Sequence, residues 1–173
     1  MREINFSSPE GLHIKRTLLA LSLGLAVAAA SLAAAVAAPT TAFIGPPGWS
    51  HADQSPDPNS KLEQWRFAAG DVQTLTYRVD PSTSYTDALA AIHKMLTDNK
   101  FKPSIDKDVT CQGLAAHQVE FVPTGPDGHR IAINRIIVPN GNGNLAIIYV
   151  REEGQQFDPD ARKAISTYCG AAI

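Results

Sequence analysis

The runs VTCQGLAAHQVEFV (109–122), HRIAINRIIV (129–138) and LAIIYVR (145–151) decide the architecture. Each is rich in β-branched and apolar residues, and the segments between them, PTGPDG (123–128) and NGNGN (140–144), are turn compositions. Strands joined by such short turns make an antiparallel meander, the first strand open to a break at Gly113.

Working outward, Leu62 to Ala68 and Val72 to Val79 flank Ala69-Gly70-Asp71 and read as a β-hairpin. Pro81 to Ser84 then stops the strand, and Ser84 with Asp87 forms a capping-box pattern. Tyr85, Leu89, Ile92 and Leu96 follow at helical spacing, which predicts an amphipathic helix to about Asn99 whose apolar stripe covers a sheet. Lys100 to Asp108 is polar, holds Pro103, and is expected as a loop. Asp158-Pro159, an N-cap followed by a first-turn proline, opens a last helix that runs to Cys169 and turns Ala161, Ile165 and Tyr168 or Cys169 inward.

The expected fold class is therefore α+β, an antiparallel sheet of about five to six strands with segregated helices. Helices on opposite faces would make a three-layer sandwich and explain why several strands are apolar on both sides. The domain is expected over residues 61–173, after an extended segment at 38–60 rich in Pro, Ser, Asp and Gly.

This order of elements, from about Trp49 to Cys169, resembles the PsbP-like superfamily. Val109 to His117 and the ending Ile165-Ser166-Thr167-Tyr168-Cys169 look like exported bacterial members with the same paired-cysteine layout. The superfamily places a central antiparallel sheet between helices. It includes an extrinsic photosystem II subunit, a Ran-binding nuclear transport factor, and many secreted bacterial proteins and lipoproteins. No functional residue of these proteins carries over onto this chain, so the resemblance implies a fold and an accessory or binding character.

Thr17 to Ala38 carries no charge and follows Lys15-Arg16, a positive region leading into an apolar one. That is the pattern of a signal peptide over 1–37, with Ala35-Val36-Ala37 supplying the small residues a signal peptidase accepts. About 22 residues at roughly 1.5 Å each would also cross a hydrocarbon core of about 30 Å, so an uncleaved anchor is the alternative. Cleavage is preferred because the second half of the stretch is dominated by alanine, which holds a helix in lipid poorly. Either way the domain is expected outside the cytoplasm, secreted or periplasmic, and touches membrane only through an uncleaved leader.

An oxidising compartment makes a Cys111–Cys169 disulfide the expected state of the two cysteines. The chain carries 15 Lys and Arg against 17 Asp and Glu, a net charge of −2, which offers no basic field for nucleic acid. His13, His51, His93, His117 and His129 lie at none of the short spacings of common zinc motifs, so no metal site or cofactor is expected. Asp106-x-Asp108 and Asp158-x-Asp160 lack the spacing and glycine of a calcium loop. Gly141 and Gly143 precede no helix and read as a hairpin turn rather than a phosphate cradle. There is no Gly-x-Ser-x-Gly elbow and no assignable Ser-His-Asp set.

If the 123–128 turn sets Val119 opposite Ile131, His117 and Arg135 share a face, and Tyr149 can join them from the next strand. Such a group would line a pocket for an anion or polar ligand; a sheet end with satisfied polar side chains explains the same residues. Trp49 and Trp65 are either recognition aromatics at an exposed surface or core packing.

These readings rank an exported, non-enzymatic binding or accessory protein of the envelope or extracellular space first, with an unidentified protein or small molecule as partner. A small-molecule carrier or sensor with a pocket between sheet and helix is the alternative, and a hydrolytic enzyme comes third.

Overall fold

The computed structural model describes residues 38–39, 41–67, 73–125 and 127–172. It is an α+β fold of seven strands and two helices, in the order β1 (Ser50–Asp53), β2 (Lys61–Arg66), β3 (Thr74–Asp80), α1 (Tyr85–Asp98), β4 (Ile105–Cys111), β5 (Leu114–Phe121), β6 (Ile131–Asn140), β7 (Gly143–Glu152), α2 (Pro159–Cys169). The strands form one open sheet, β1-β2-β3-β7-β6-β5-β4, antiparallel at every pairing. The proposed leader, 1–37, and the proposed hairpin turn at Ala69-Gly70-Asp71 lie outside the described residues. Among the described residues no helix is long and apolar enough to cross a membrane.

Both helices start as their sequences dictate. The Ser84 hydroxyl accepts from the Asp87 N–H at 3.1 Å and donates to the Asp87 carboxylate at 2.7 Å. The Asp158 carboxylate accepts from the N–H groups of Asp160 and Ala161, each at 2.9 Å, with Pro159 in the first turn where a missing N–H costs nothing.

The strand count of five to six is corrected to seven. Residues 38–60 are expected as an extended entry segment outside the domain, yet Ser50–Asp53 within them pairs with β2 as an edge strand. The run 109–122 is two strands rather than one, and the first begins at Ile105, inside the stretch expected as a loop. Gln112 and Gly113 have φ of 53° and 75°, so they are the left-handed pair that a two-residue type I′ hairpin requires, closed by the Cys111–Leu114 pair. Gln-Gly is not the usual Asn-Gly or Asp-Gly signal, which is why one strand open to a break was expected there and not a reversal.

Adjacent residues of β6 separate the two cores, because successive strand side chains point to opposite faces. Ile136 packs with Leu75, Leu145, Ile147 and the α2 residues Ala161, Ile165 and Tyr168. Ile137 packs with Val119, Phe121 and the α1 residues Ala88, Ile92 and Leu96. The helices therefore cover opposite faces of the sheet, and β6 is buried on both.

The register of β5 against β6 is also corrected. Val119 lies opposite Arg135, not Ile131, and His117 opposite Ile137. The Gly125 N–H donates to the His129 carbonyl at 2.7 Å, so the turn is centred two residues later than the expected one and the pairing shifts by twice that. An even shift leaves every side chain on its expected face.

Candidate functional site

The α1 face of the sheet carries two polar groups, one on each flank of the helix. Register places them. Asp106, Val119, Arg135, Ile148 and Thr76 form one row across five strands, and Asp108, His117, Ile137, Ala146 and Arg78 form the next. Val119 and Ile137 pack under α1, and the charged members of the rows lie to either side of them.

On the β3–β7 side, Arg78, Asp80, Thr83, Arg135 and Asn144 line a cavity of about 230 Å³ beneath Ala88, Ile92 and Met95. Arg78 pairs with Asp80 at 3.4 Å, and Asn144 donates to the Thr83 carbonyl at 2.8 Å. Arg135 has no such neighbour. Its Nε is buried without a hydrogen-bond partner, and among the described residues no carboxylate lies within ion-pair distance. Burial first, and then the charge of Arg78, push its pKa below the ordinary guanidinium value. Asp80 compensates Arg78, which leaves Arg135 a half-buried cation with no carboxylate of its own, and that is an arrangement an anion would relieve.

On the β4 side, His93 from α1 meets Asp106 and His117 from the sheet edge. His117 is buried; its Nε2 lies 2.7 Å from the Asp106 carboxylate and its Nδ1 lies 2.9 Å from that of Asp108. His93 Nε2 is 3.7 Å from the same Asp106 oxygen, and the two imidazoles meet edge-on at 5.5 Å between centroids. Burial pulls the His117 pKa down, but hydrogen bonds to Asp108 and Asp106 outweigh it and leave the net value raised. Alongside runs an open groove of about 520 Å³ lined by His93, Thr97, Lys100, Phe101, Lys102 and Asp106.

The expected group His117, Arg135 and Tyr149 is thus brought together only in part. His117 and Arg135 share a face and lie diagonally, but each serves its own flank of α1. Tyr149 is corrected outright. It pairs with Asn134, the residue next to Arg135, so it points to the opposite face, where it stacks on Phe157 at 3.9 Å. There its hydroxyl donates to Gln73 and accepts the Asp158 N–H at 3.0 Å, which makes it a support for the start of α2.

Trp49 and Trp65 form no exposed aromatic surface: both are buried, at 8% and 7% exposure. Trp65 is covered by the backbone of Gly45, by Phe43 at 5.2 Å and by the stacked ring of His51 at 4.8 Å; Trp49 packs on Phe67 at 5.4 Å. The segment before β2 wraps its own aromatics onto the sheet, and Phe43 brings it into the α2-side core. Cys111 and Cys169 are joined by the expected disulfide, which ties the end of α2 to the β4–β5 turn.

Sequence reasoning missed Arg78, His93, Asp106 and Asp108 as site residues. Their partners sit on other elements, and only the register of β4 and β5 together with the docking of α1 assembles them. A polar patch on the α2 face also escaped it: Glu120 accepts both guanidinium arms of Arg151, at 3.0 and 3.1 Å, and the Asn134 amide at 3.2 Å.

No family model and no curated protein matches the chain. Among solved structures it is similar to a Pseudomonas aeruginosa protein of unknown function, at 11% identity and a TM-score of 0.40, covering 65% of this chain and 73% of that one. It is also similar to LpqN, involved in cell envelope biogenesis of Mycobacterium tuberculosis, at 14% identity and a TM-score of 0.32, covering 76% and 78%. At that distance neither likeness bears on function.

Proposed function

We propose that the chain is an exported, non-enzymatic binding protein whose ligand is a small anion, a carboxylate or phosphate, seated between α1 and the sheet. One observation carries this reading: among the described residues Arg135 lines a cavity of about 230 Å³ with its Nε buried and unpartnered, while the neighbouring Arg78 is already paired with Asp80. Withdrawing a charge from water costs several kcal/mol unless a counter-charge offsets it. The cavity is smaller than the roughly 300–1,000 Å³ usual for drug-sized ligands, which favours a compact anion.

The uncharged run Thr17 to Ala38 and the Cys111–Cys169 disulfide support an extracytoplasmic setting, since disulfides persist in oxidising compartments. The sheet with a helix on each face supports the finer reading of a PsbP-like layout. An accessory role through a protein partner loses its aromatic surface with Trp49 and Trp65 buried, so the carrier reading moves ahead of it.

Thermal shift against a panel of small carboxylates and phosphates, with native mass spectrometry of the gently purified chain, tests the proposal. At least one anion should stabilise the wild type, and Arg135→Ala should abolish that shift. A ligand retained equally by Arg135→Ala, or no response to any anion, would refute it.

A further inference from the structure

We propose that His93, Asp106 and His117 bind one divalent transition-metal ion of the zinc class, at the edge where α1 meets β4 and β5. The three ligand atoms, one from each element, lie within 4.8 Å of one another, and among the described residues no other His, Cys, Asp and Glu cluster of three or more does so. With metal–nitrogen and metal–oxygen bonds of about 2.0–2.2 Å, ligand atoms around a tetrahedral zinc stand about 3.3 Å apart. Asp106 Oδ1 is 2.7 Å from His117 Nε2 and 3.7 Å from His93 Nε2, which brackets that spacing. Side-chain shifts of about half an ångström bring these two distances to it, and the ligand nitrogens of the two imidazoles lie within 4.8 Å of each other. The side chains of His93 and Asp106 are 47% and 41% exposed, so little packing resists the adjustment.

The orientation of the buried ligand is already set. Asp108 accepts from His117 Nδ1 at 2.9 Å, and this carboxylate–histidine pairing leaves Nε2 as the ligating nitrogen aimed at Asp106 and His93. Two imidazoles and one carboxylate suit zinc and its neighbours, whereas magnesium and calcium take oxygen sets. His93 and Asp106 also line the open groove beside Thr97, Lys100 and Lys102, from which water or a small ligand could complete the shell.

Without metal, His117 Nε2 lies at hydrogen-bond distance, 2.7 Å, from the Asp106 carboxylate, a contact that coordination of both groups to one ion would replace. Asp106, Asp108 and His93 are the titratable groups facing His117, and Lys100 and Lys102 line the groove alongside. The competing description is a hydrogen-bonded staple between helix and sheet with no affinity for metal.

Calorimetric titration of the full chain, its disulfide intact and its metals stripped by chelator, with zinc chloride near neutral pH separates the two. One saturable zinc ion per chain is expected, and no comparable uptake of magnesium. Asp108→Asn should weaken binding about 10- to 100-fold, and His93→Ala by at least about 100-fold. His129→Ala, remote from the cluster, should leave it unchanged. His93 and Asp108 are exposed, so these variants keep the fold, which circular dichroism verifies. Absence of saturable zinc binding, or an affinity that survives His93→Ala, overturns the site.

Discussion

The backbone N–H of Gln112 donates to the carbonyl oxygen of Cys169 at 2.8 Å, joining the tip of the β4–β5 hairpin to the last residue of α2. The Gln112 side chain adds a second bond, to the Tyr168 carbonyl at 3.0 Å. Gln112 thereby satisfies two carbonyls that a helix end leaves without intrahelical partners, immediately beside the Cys111–Cys169 bridge. The left-handed conformation of Gln112 is what aims both donors at the helix.

The disulfide and these bonds hold the same two ends, so removing the bridge should lower stability without releasing α2. The cysteines are 58 residues apart, and a cross-link closing a loop of that length stabilises by about 4 kcal/mol in the chain-entropy account. Urea unfolding of Cys111→Ala/Cys169→Ala against the oxidised wild type should show a loss of that order, with the far-UV circular dichroism of the folded form unchanged. A folded form with markedly reduced helix content would show that the hydrogen bonds at Gln112 do not hold the helix end alone.

Stability should respond to pH through His117. Its folded pKa is raised above the ordinary 6.5, because hydrogen bonds to Asp108 and Asp106 outweigh burial. Such a group contributes stability that is fully present below about 6.5 and is lost as pH rises through the folded value. In metal-free buffer, the difference in unfolding free energy between wild type and His117→Gln should therefore narrow from pH 6.5 upward. A difference that stays constant or widens over that range would contradict the ion-pair role of this histidine.

Lys100 ends α1 in a left-handed conformation, φ 56°, where glycine is the usual residue. Its N–H donates to the Thr97 carbonyl and the Phe101 N–H to that of Leu96, a Schellman motif that packs Phe101 and Leu96 into the α1-side core. A side chain in this region costs about 1–2 kcal/mol, offset in part by the entropy glycine loses on folding. Lys100→Gly should accordingly raise stability by up to about 1 kcal/mol, read as a higher urea midpoint at unchanged slope. A destabilised variant would mean that the lysine side chain makes a contribution larger than the strain it imposes.

Much of the frame was legible along the chain. Ser84 with Asp87, and Asp158 with Pro159, announced both helices because a cap is chemistry between residues two or three apart. The turns at 123–128 and 140–144 announced the meander for the same reason. Where the local signal was weak, the reading failed: Gln112-Gly113 reverses the chain on an uncommon turn pair, and β1 pairs a segment whose composition resembles loop. Tyr149 shows a different limit. Its facing depended on which residue it opposes, and pairing with Asn134 set it on the face that α2 covers.

By itself the sequence determined the α+β class, the two amphipathic helices and the meander, which rest on local spacing, and it pointed to the pairing of its two cysteines through the exported setting its leader pattern implies. Only the tertiary structure decided which side chains share a site. His93, Asp106 and His117 converge, and Arg135 stands unpaired among the described residues, through strand register and the docking of α1 across the sheet. Those are set by the summed fit of many distant contacts, and no short stretch of chain encodes them.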